Sequence, residues 1–165
     1  MRVYLPCTFS GLRALLDTGE VAGPPLPGFA VTGDLREWYA EGDLEELEYT
    51  AMTLAAKASV RLLDADPDAV RRRVVVVVEV PDSDVQLVPH VDRAAVKVLS
   101  AVPLRDVKAV HVDDTGAIPD VTVAADAVVE ADLGSQDAAF RVEQAEGHEL
   151  AWYATQEIGP LLELG

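Results

Sequence analysis

The chain has 165 residues, half of them hydrophobic, and its 13 basic and 29 acidic side chains give a formal net charge of −16. This length and composition favour a single globular domain over residues 1–165 and argue against a disordered chain. The negative field opposes direct binding to nucleic acid and to an anionic membrane surface.

The single cysteine, Cys7, excludes an internal disulfide and is typical of a reducing compartment. The first six residues lack the long apolar segment of a secretory signal, and no stretch approaches the roughly 20 apolar residues that a membrane-spanning helix needs. We therefore expect a cytoplasmic location.

The first predicted elements are a strand over residues 2–6 and a helix that begins at Thr8 or Ser10 and ends at Gly19. Residues 21–33 follow, with three prolines and three glycines, and this composition predicts an extended loop. The sequence leaves open whether that loop is a plain connector or a lid or partner-binding segment.

Two helices are predicted next. Asp34 begins a short helix that carries Trp38 and Tyr39, Gly42 breaks it, and Asp43 begins the longest helix, which ends near residue 63. Apolar residues at three- and four-residue steps predict one buried stripe on this long helix. The stripe consists of Leu44, Leu47, Ala51, Leu54, Ala55, Ala58 and Leu62.

Residues 74–80 are the most informative stretch, because five consecutive valines leave no polar face. One side of a strand here carries Val74, Val76, Val78 and Val80, and the other carries Val75 and Val77. Such a strand is predicted to lie in the middle of a sheet with layers on both faces. The three arginines before it, residues 71–73, are interpreted as charged residues that keep a sticky strand soluble, with a local basic site as the alternative.

The second half of the chain predicts strands over residues 95–102 and 109–112, then helices over 118–131 and 138–146, with Phe140 as a core residue of the second helix. Residues 149–155 fit a helix or a strand, and the aromatic pair Trp152 and Tyr153 favours the strand. Together these elements predict one α/β (α+β) domain. Its mixed sheet has four or five strands, residues 74–80 form the central strand, and helix 43–63 is a candidate crossover to a parallel neighbour.

Three segments, residues 1–6, 44–49 and 148–158, resemble a family of uncharacterised actinobacterial proteins that is catalogued as a domain of unknown function. The resemblance covers nearly the whole chain, and its most distinctive part is the last segment. It implies a bacterial cytoplasmic protein, and it brings no activity, cofactor or catalytic residue.

Each of the three histidines has a carboxylate nearby, which raises the question of a metal site. His111 and Asp113 would point the same way from a strand, so they are candidate ligands together with His90 or His148. The alternative is a local hydrogen bond at a strand end, which a chain with 29 acids makes common, so no metal or other cofactor is expected. The sequence holds no phosphate-binding loop, dinucleotide-binding motif or nucleophile elbow.

Two functions from different classes remain. The first is a non-catalytic interaction or regulatory domain that binds a protein partner or a second copy, with Trp38, Tyr39, Trp152 and Tyr153 as candidate contact residues. The alternative is a small-molecule- or metal-binding enzyme whose site lies at the carboxyl ends of parallel strands. The first is favoured, because no complete catalytic motif is present. For the second, Cys7 at the start of a helix is a candidate reactive thiol or, equally, a small buried side chain.

Overall fold

The valine-rich segment lies in the interior of the sheet. In the structure, a computed structural model that describes residues 1–164, strand β4 spans Val74–Glu79. It lies between β1 (Arg2–Cys7) and β8 (Val107–Val112). None of its five valines is more than 4% exposed. The predicted interior strand is confirmed, because a strand without a polar face must be covered on both sides.

Within residues 1–164 the chain forms nine strands and six α-helices. The other strands are β2 (Glu20–Val21), β3 (Leu26–Phe29), β5 (Val85–Leu87), β6 (Ala95–Val98), β7 (Val102–Pro103) and β9 (Ala151–Ala154). The helices are α1 (Phe9–Thr18), α2 (Gly33–Trp38), α3 (Leu44–Ala65), α4 (Ile118–Asp132), α5 (Gln136–Glu146) and α6 (Ile158–Leu164). None of these helices is long and apolar enough to cross a membrane.

Seven of the described strands form one sheet in the order β5-β6-β3-β1-β4-β8-β9, and every neighbouring pair is antiparallel. Strands β2 and β7 pair separately. The α+β class is confirmed, and so is the strand predicted over residues 149–155, which is β9. The predicted mixed sheet of four or five strands is wrong in both strand number and strand direction.

Helix α3 joins two strands that run parallel without being neighbours. Strand β1 is antiparallel to both β3 and β4, so β3 and β4 point in the same direction. Strand β1 lies between them and provides each with a pairing partner. The predicted parallel neighbour of the valine strand is therefore wrong, because the first strand of the chain occupies that position.

The proline- and glycine-rich segment 21–33 is not a loop throughout, since it contributes β3 to the main sheet. Gly28 explains how a strand fits here: a Cβ atom at this position would lie 2.8 Å from Val3 Cγ1 and 2.9 Å from Leu5 Cδ2. Only glycine allows β3 to approach β1 this closely. The segment is therefore more than a plain connector, because residues 26–29 are a strand of the main sheet.

Helices cover both faces of the sheet. On one face, the valines at positions 74, 76 and 78 pack into a core with Leu12 of α1 and Ile158 of α6. On the other face, Val75 and Val77 pack against the alanines of α3. Helices α4 and α5 pack on the carboxyl-terminal half of α3 and form a second layer there. Alternate valines of β4 therefore belong to two different cores, one on each face of the sheet.

The predicted stripe of α3 is confirmed in the middle of the helix and is wrong at both of its ends. Leu47 and Ala51 are buried, but Leu44 is 52% and Leu62 is 41% exposed. Val60 and Leu63 are buried instead, because the carboxyl-terminal half of the helix packs against α4 as well as the sheet. Because a second helix packs on this half of α3, the residues buried there differ from those that the apolar spacing predicts.

The prediction that Phe140 is a core residue of α5 is wrong, since this side chain is 64% exposed. Ala138, Val142 and Ala145 are the buried residues of the helix. Phe140 is two positions from both Ala138 and Val142, which places it on the opposite side of an α-helix. Small residues on the buried side let α5 lie close to α4.

Two of the three arginines before β4 are buried, which corrects their interpretation as solvent-exposed charges. Arg72 is 6% and Arg73 is 3% exposed. Arg73 Nε and Nη2 each donate to a different carboxylate oxygen of Asp113 at 2.8 Å, and Asp113 is 0% exposed. The Arg73 backbone N–H donates to the same carboxylate at 2.8 Å, and Nη2 also donates to the His148 carbonyl at 2.9 Å.

This bidentate pair links the amino-terminal end of β4 to the carboxyl-terminal end of β8 and to the segment that leads into β9. Both carboxylate oxygens accept hydrogen bonds from a charged donor, which is the geometry that compensates the cost of burying two charges. Removing one partner would leave the other charge buried and unpaired.

We expect Asp113→Asn to lower the free energy of unfolding by about 3–5 kcal/mol, the usual cost of breaking a buried ion pair. The matched control is Asp132→Asn, because Asp132 pairs with Arg61 at 2.9 Å on the surface, where both side chains are 44% exposed. That substitution should cost less than ~1 kcal/mol. Urea unfolding followed by circular dichroism measures both, and equal losses would contradict the role given to Asp113.

Candidate functional site

The corner between α2 and α3 presents aromatic side chains among carboxylates. Thr32 caps α2 by accepting the Leu35 N–H at 3.2 Å, and Asp43 caps α3 by accepting the Glu46 N–H at 2.9 Å. Leu35 and Leu47 are buried at 2% and 3% and fix both helices to the body of the protein. Because both helices are anchored by these leucines, the residues between them, 39–43, lie at the surface of the protein.

Residues 34–49 contain seven acidic side chains and one basic side chain, a net charge of −6 over 16 residues. We call the exposed part of this corner the acidic aromatic surface. It consists of Asp34, Glu37, Trp38, Tyr39, Glu41, Asp43, Leu44, Glu45 and Glu46, all of which are exposed. Trp38 is 61%, Leu44 is 52% and Tyr39 is 47% exposed. Large apolar side chains and carboxylates therefore share one area of the surface.

Trp38 is held in place by a cation. The guanidinium carbon of Arg93 lies 3.8 Å from the centroid of the Trp38 ring. The electron-rich face of an indole attracts a cation, and this attraction is worth about 0.5–1 kcal/mol at an exposed site. The contact orients the ring and demonstrates that the acidic aromatic surface accommodates a guanidinium.

A second feature is a groove on the sheet face that α3 covers in part. It has two depressions of about 450 and 290 Å³, which share Arg2 and Tyr4. The Tyr4 hydroxyl donates to Glu48 Oε2 at 3.0 Å, and Arg2 donates to Glu48 at 3.3 Å and to Glu79 at 3.1 Å. Burial and the neighbouring Glu48 raise the pKa of Tyr4 to about 12, so its hydroxyl stays protonated at neutral pH.

The two aromatic candidates of β9 face opposite ways, as neighbouring residues of a strand must. Trp152 is 60% exposed and lines the smaller depression of the groove beside His111. Burial lowers the pKa of His111 below its ordinary value, which keeps the imidazole neutral at neutral pH. Tyr153 is half-buried and packs against the main core on the other face. Trp152 and Tyr153 therefore do not belong to one contact surface.

The four candidate metal ligands are not brought together. Asp113 is engaged by Arg73, His148 Nε2 lies 2.7 Å from Asp120 Oδ2, and His90 is exposed in the turn between β5 and β6. Among residues 1–164, no three or more histidine, cysteine or acidic side chains are grouped so that they could hold a metal ion.

The polar residues expected at a common carboxyl edge of parallel strands are divided between both ends of the sheet. Cys7 ends β1 and pairs with Val74, the first residue of β4, whereas Asp82 follows the last residue of β4. Because β1 and β4 are antiparallel, their carboxyl ends lie at the two different ends of the sheet. This removes the reason to expect one catalytic cluster there.

Of the two alternatives for Cys7, the structure favours a small packed side chain over a reactive thiol, although the residue is only partly buried. A Cβ atom on Gly11 would lie 2.5 Å from Cys7 Sγ, so the sulfur packs directly on the first turn of α1. Burial raises the pKa of the thiol to about 11, whereas the start of a helix would lower it. Desolvation outweighs the backbone hydrogen bond with Thr8, which lowers the pKa.

Sequence reasoning found Trp38 and Tyr39 but missed the charged part of the same surface. Acids at the start of α3 are also favoured by the positive end of the helix dipole, and the Asp43 side chain accepts the Glu46 N–H there, so these residues have a structural role that hides the functional one. The signal that could have identified the surface is the charge of −6 over residues 34–49 next to two aromatic residues.

A protein-family model described as "Family of unknown function (DUF6912)" matches residues 1–162. No curated protein and no solved structure matches this chain.

We expect Cys7 to react with iodoacetamide at neutral pH roughly a hundredfold more slowly in the folded protein than in urea, because only the thiolate reacts and a pKa near 11 leaves little of it. Mass spectrometry of samples quenched over time measures both rates. Labelling of the folded protein at the rate found in urea would show that Cys7 is accessible and ionised, and would contradict the raised pKa of the thiol.

Proposed function

The chain belongs to the DUF6912 family, and we propose that it is a non-catalytic interaction domain that binds a basic protein partner through the acidic aromatic surface. The observation that carries the proposal is the exposure of Trp38 and Tyr39 among six exposed carboxylates. Aromatic side chains are enriched in the centres of protein interfaces, where they contribute a large contact area.

The expected charge of the partner follows from which acids of the chain are already paired with a cation of the chain. Arg73 is buried against Asp113, Arg61 pairs with Asp132, and Arg2 pairs with Glu48 and Glu79. These cations neutralise acids within the fold, whereas the carboxylates of residues 34–46 form no ion pair with the described residues. A surface of this sign attracts a basic partner and speeds its association.

The contact between Arg93 and Trp38 supports lysine or arginine side chains as the groups that bind. A partner side chain could stack on Tyr39 or on the open face of Trp38, with its charge near Glu37 or Glu41. Each such contact combines a cation–π attraction with a nearby carboxylate.

The proposal keeps the cytoplasmic location and the actinobacterial origin that were expected from the sequence, and the single cysteine supports a reducing compartment. The alternative function, an enzyme with its site at the carboxyl ends of parallel strands, is not proposed. It depended on a strand arrangement that the antiparallel sheet does not have.

The proposal is tested with two variants that remove equally exposed indoles. Trp38 is 61% and Trp152 is 60% exposed, so Trp38→Ala and Trp152→Ala remove similar areas from different surfaces. The immobilised protein captures partners from a lysate of its source organism, and the affinity of each purified partner is then measured by calorimetry. We expect a basic partner whose affinity falls at least tenfold with Trp38→Ala and less than twofold with Trp152→Ala.

A charge reversal gives the second comparison. Glu37→Lys with Glu41→Lys should weaken the same partner at least tenfold, and added salt should weaken binding to the unmodified protein. Glu143→Lys with Glu146→Lys, on the exposed side of α5, changes the net charge equally and should have little effect. A partner that is acidic, that is a second copy of this chain, or that binds all variants equally would contradict the proposal, as would capture of no partner.

A further inference from the structure

A groove of about 420 Å³ lies along α6, at the end of the sheet face opposite α3. Its lining residues are Arg72, Thr115, Tyr153, Glu157, Pro160, Leu161 and Leu164. The surface of the groove is mainly apolar, and its volume lies in the usual range for small-molecule sites. This groove is separate from the acidic aromatic surface and shares no residue with it.

Arg72, at the base of this groove, has no counter-ion among residues 1–164. It is 6% exposed, its Nε donates to the Asp113 carbonyl at 2.8 Å, and its guanidinium carbon lies 4.8 Å from the centroid of the Phe9 ring. In a chain with more than twice as many acids as bases, a nearly buried guanidinium without a carboxylate partner is unexpected.

The two terminal nitrogens of Arg72 keep some accessible surface. Every fully enclosed side-chain nitrogen or oxygen of the described residues has a hydrogen-bond partner. Arg72 Nη1 and Nη2 have none, because Nε makes the single side-chain hydrogen bond of this residue among residues 1–164. These nitrogens are therefore not enclosed, and the space that Arg72 borders is the groove.

An arginine in this setting has a specific chemical preference. Its guanidinium stays charged at any physiological pH and presents its donors in a plane that matches a carboxylate. The walls formed by Tyr153, Leu161 and Leu164 favour an apolar body on the same molecule. The net charge of −16 and the carboxylate of Glu157 at the groove oppose ligands with several negative charges, such as phosphate esters.

We propose that this groove binds a small monoanionic carboxylate with an apolar body. The carboxylate accepts hydrogen bonds from Arg72 Nη1 and Nη2, and the carbon chain or ring lies against Tyr153 and Leu161. This site does not depend on the proposed protein partner, since its residues belong to another part of the surface.

The test compares octanoate with octan-1-ol, which has the same chain length and no charge. Each probe is titrated into isotope-labelled protein, and amide chemical shifts are recorded. We expect saturable shifts for octanoate that are centred on residues 72, 115, 153 and 157–164, and an affinity for octan-1-ol at least tenfold lower. Similar affinities for the two probes, or no saturable shift at millimolar octanoate, would overturn the proposal.

Variants test the site through a wall residue that the fold does not need. Leu164→Asp places a carboxylate at the groove, and since this side chain is 90% exposed the variant should fold. Leu133→Asp is the matched control, because Leu133 is 82% exposed at the far end of α4 and the change in charge is the same. We expect octanoate affinity to fall at least fivefold with Leu164→Asp and less than twofold with Leu133→Asp; equal effects would contradict the site.

Removing the cation gives the most direct comparison. Arg72→Met replaces the guanidinium with an uncharged, apolar side chain of roughly similar length. The affinity for octanoate should then fall to that for octan-1-ol. The amide spectrum reports whether this variant is folded, and unchanged octanoate affinity in a folded variant would overturn the role of Arg72. If it does not fold, the probe pair and the leucine variants still decide the question.

Discussion

The buried pair of Arg73 and Asp113 is the interaction on which the rest of the structure depends. Its charges lie where β4 begins and β8 ends, and Arg73 also holds the His148 carbonyl at the approach to β9. The Asp113 carbonyl accepts a hydrogen bond from Arg72 Nε, so the same residue orients a second guanidinium. Asp113, which directly follows β8, is thus linked to the start of β4, through Arg73 to the approach to β9, and to the cation that lines the groove along α6. Loss of either partner would leave the other charge buried and unpaired, which is why this pair constrains the fold strongly.

The negative charge is concentrated in one part of the surface. Arg73, Arg61 and Arg2 form ion pairs with acids of the fold, and exposed cations such as Arg13, Lys97 and Arg141 belong to other elements. Most acids remain on the surface, and those of residues 34–46 lie beside Trp38 and Tyr39. Residues 34–49 therefore carry a local excess of six negative charges, and an excess of this kind favours the approach of basic molecules.

The two proposed sites use opposite faces of the molecule and opposite chemistry. The acidic aromatic surface is exposed and suits a macromolecular partner, because Leu35 and Leu47 anchor the corner and leave its aromatic residues outside. The groove along α6 is concave and has a cation at its base. Strand β9 shows how alternation separates such environments: Trp152 lies on the open face beside His111, and Tyr153 lies on the face that lines the groove.

The sequence by itself determined most of the local elements: the interior valine strand with its two buried faces, the cap at Asp43, and Trp38 as a candidate exposed aromatic residue; it favoured the strand at residues 151–154 and left the first cap between Thr8 and Ser10. These follow from backbone preference and from apolar spacing, which act over a few residues. Only the tertiary structure decided that β1 lies between β3 and β4, that segment 21–33 supplies a strand, and that Arg72 and Arg73 are buried. Each of these depends on a partner far away in the chain, such as Leu5 against Gly28 or Asp113 against Arg73, and no local pattern records which distant residue completes a contact.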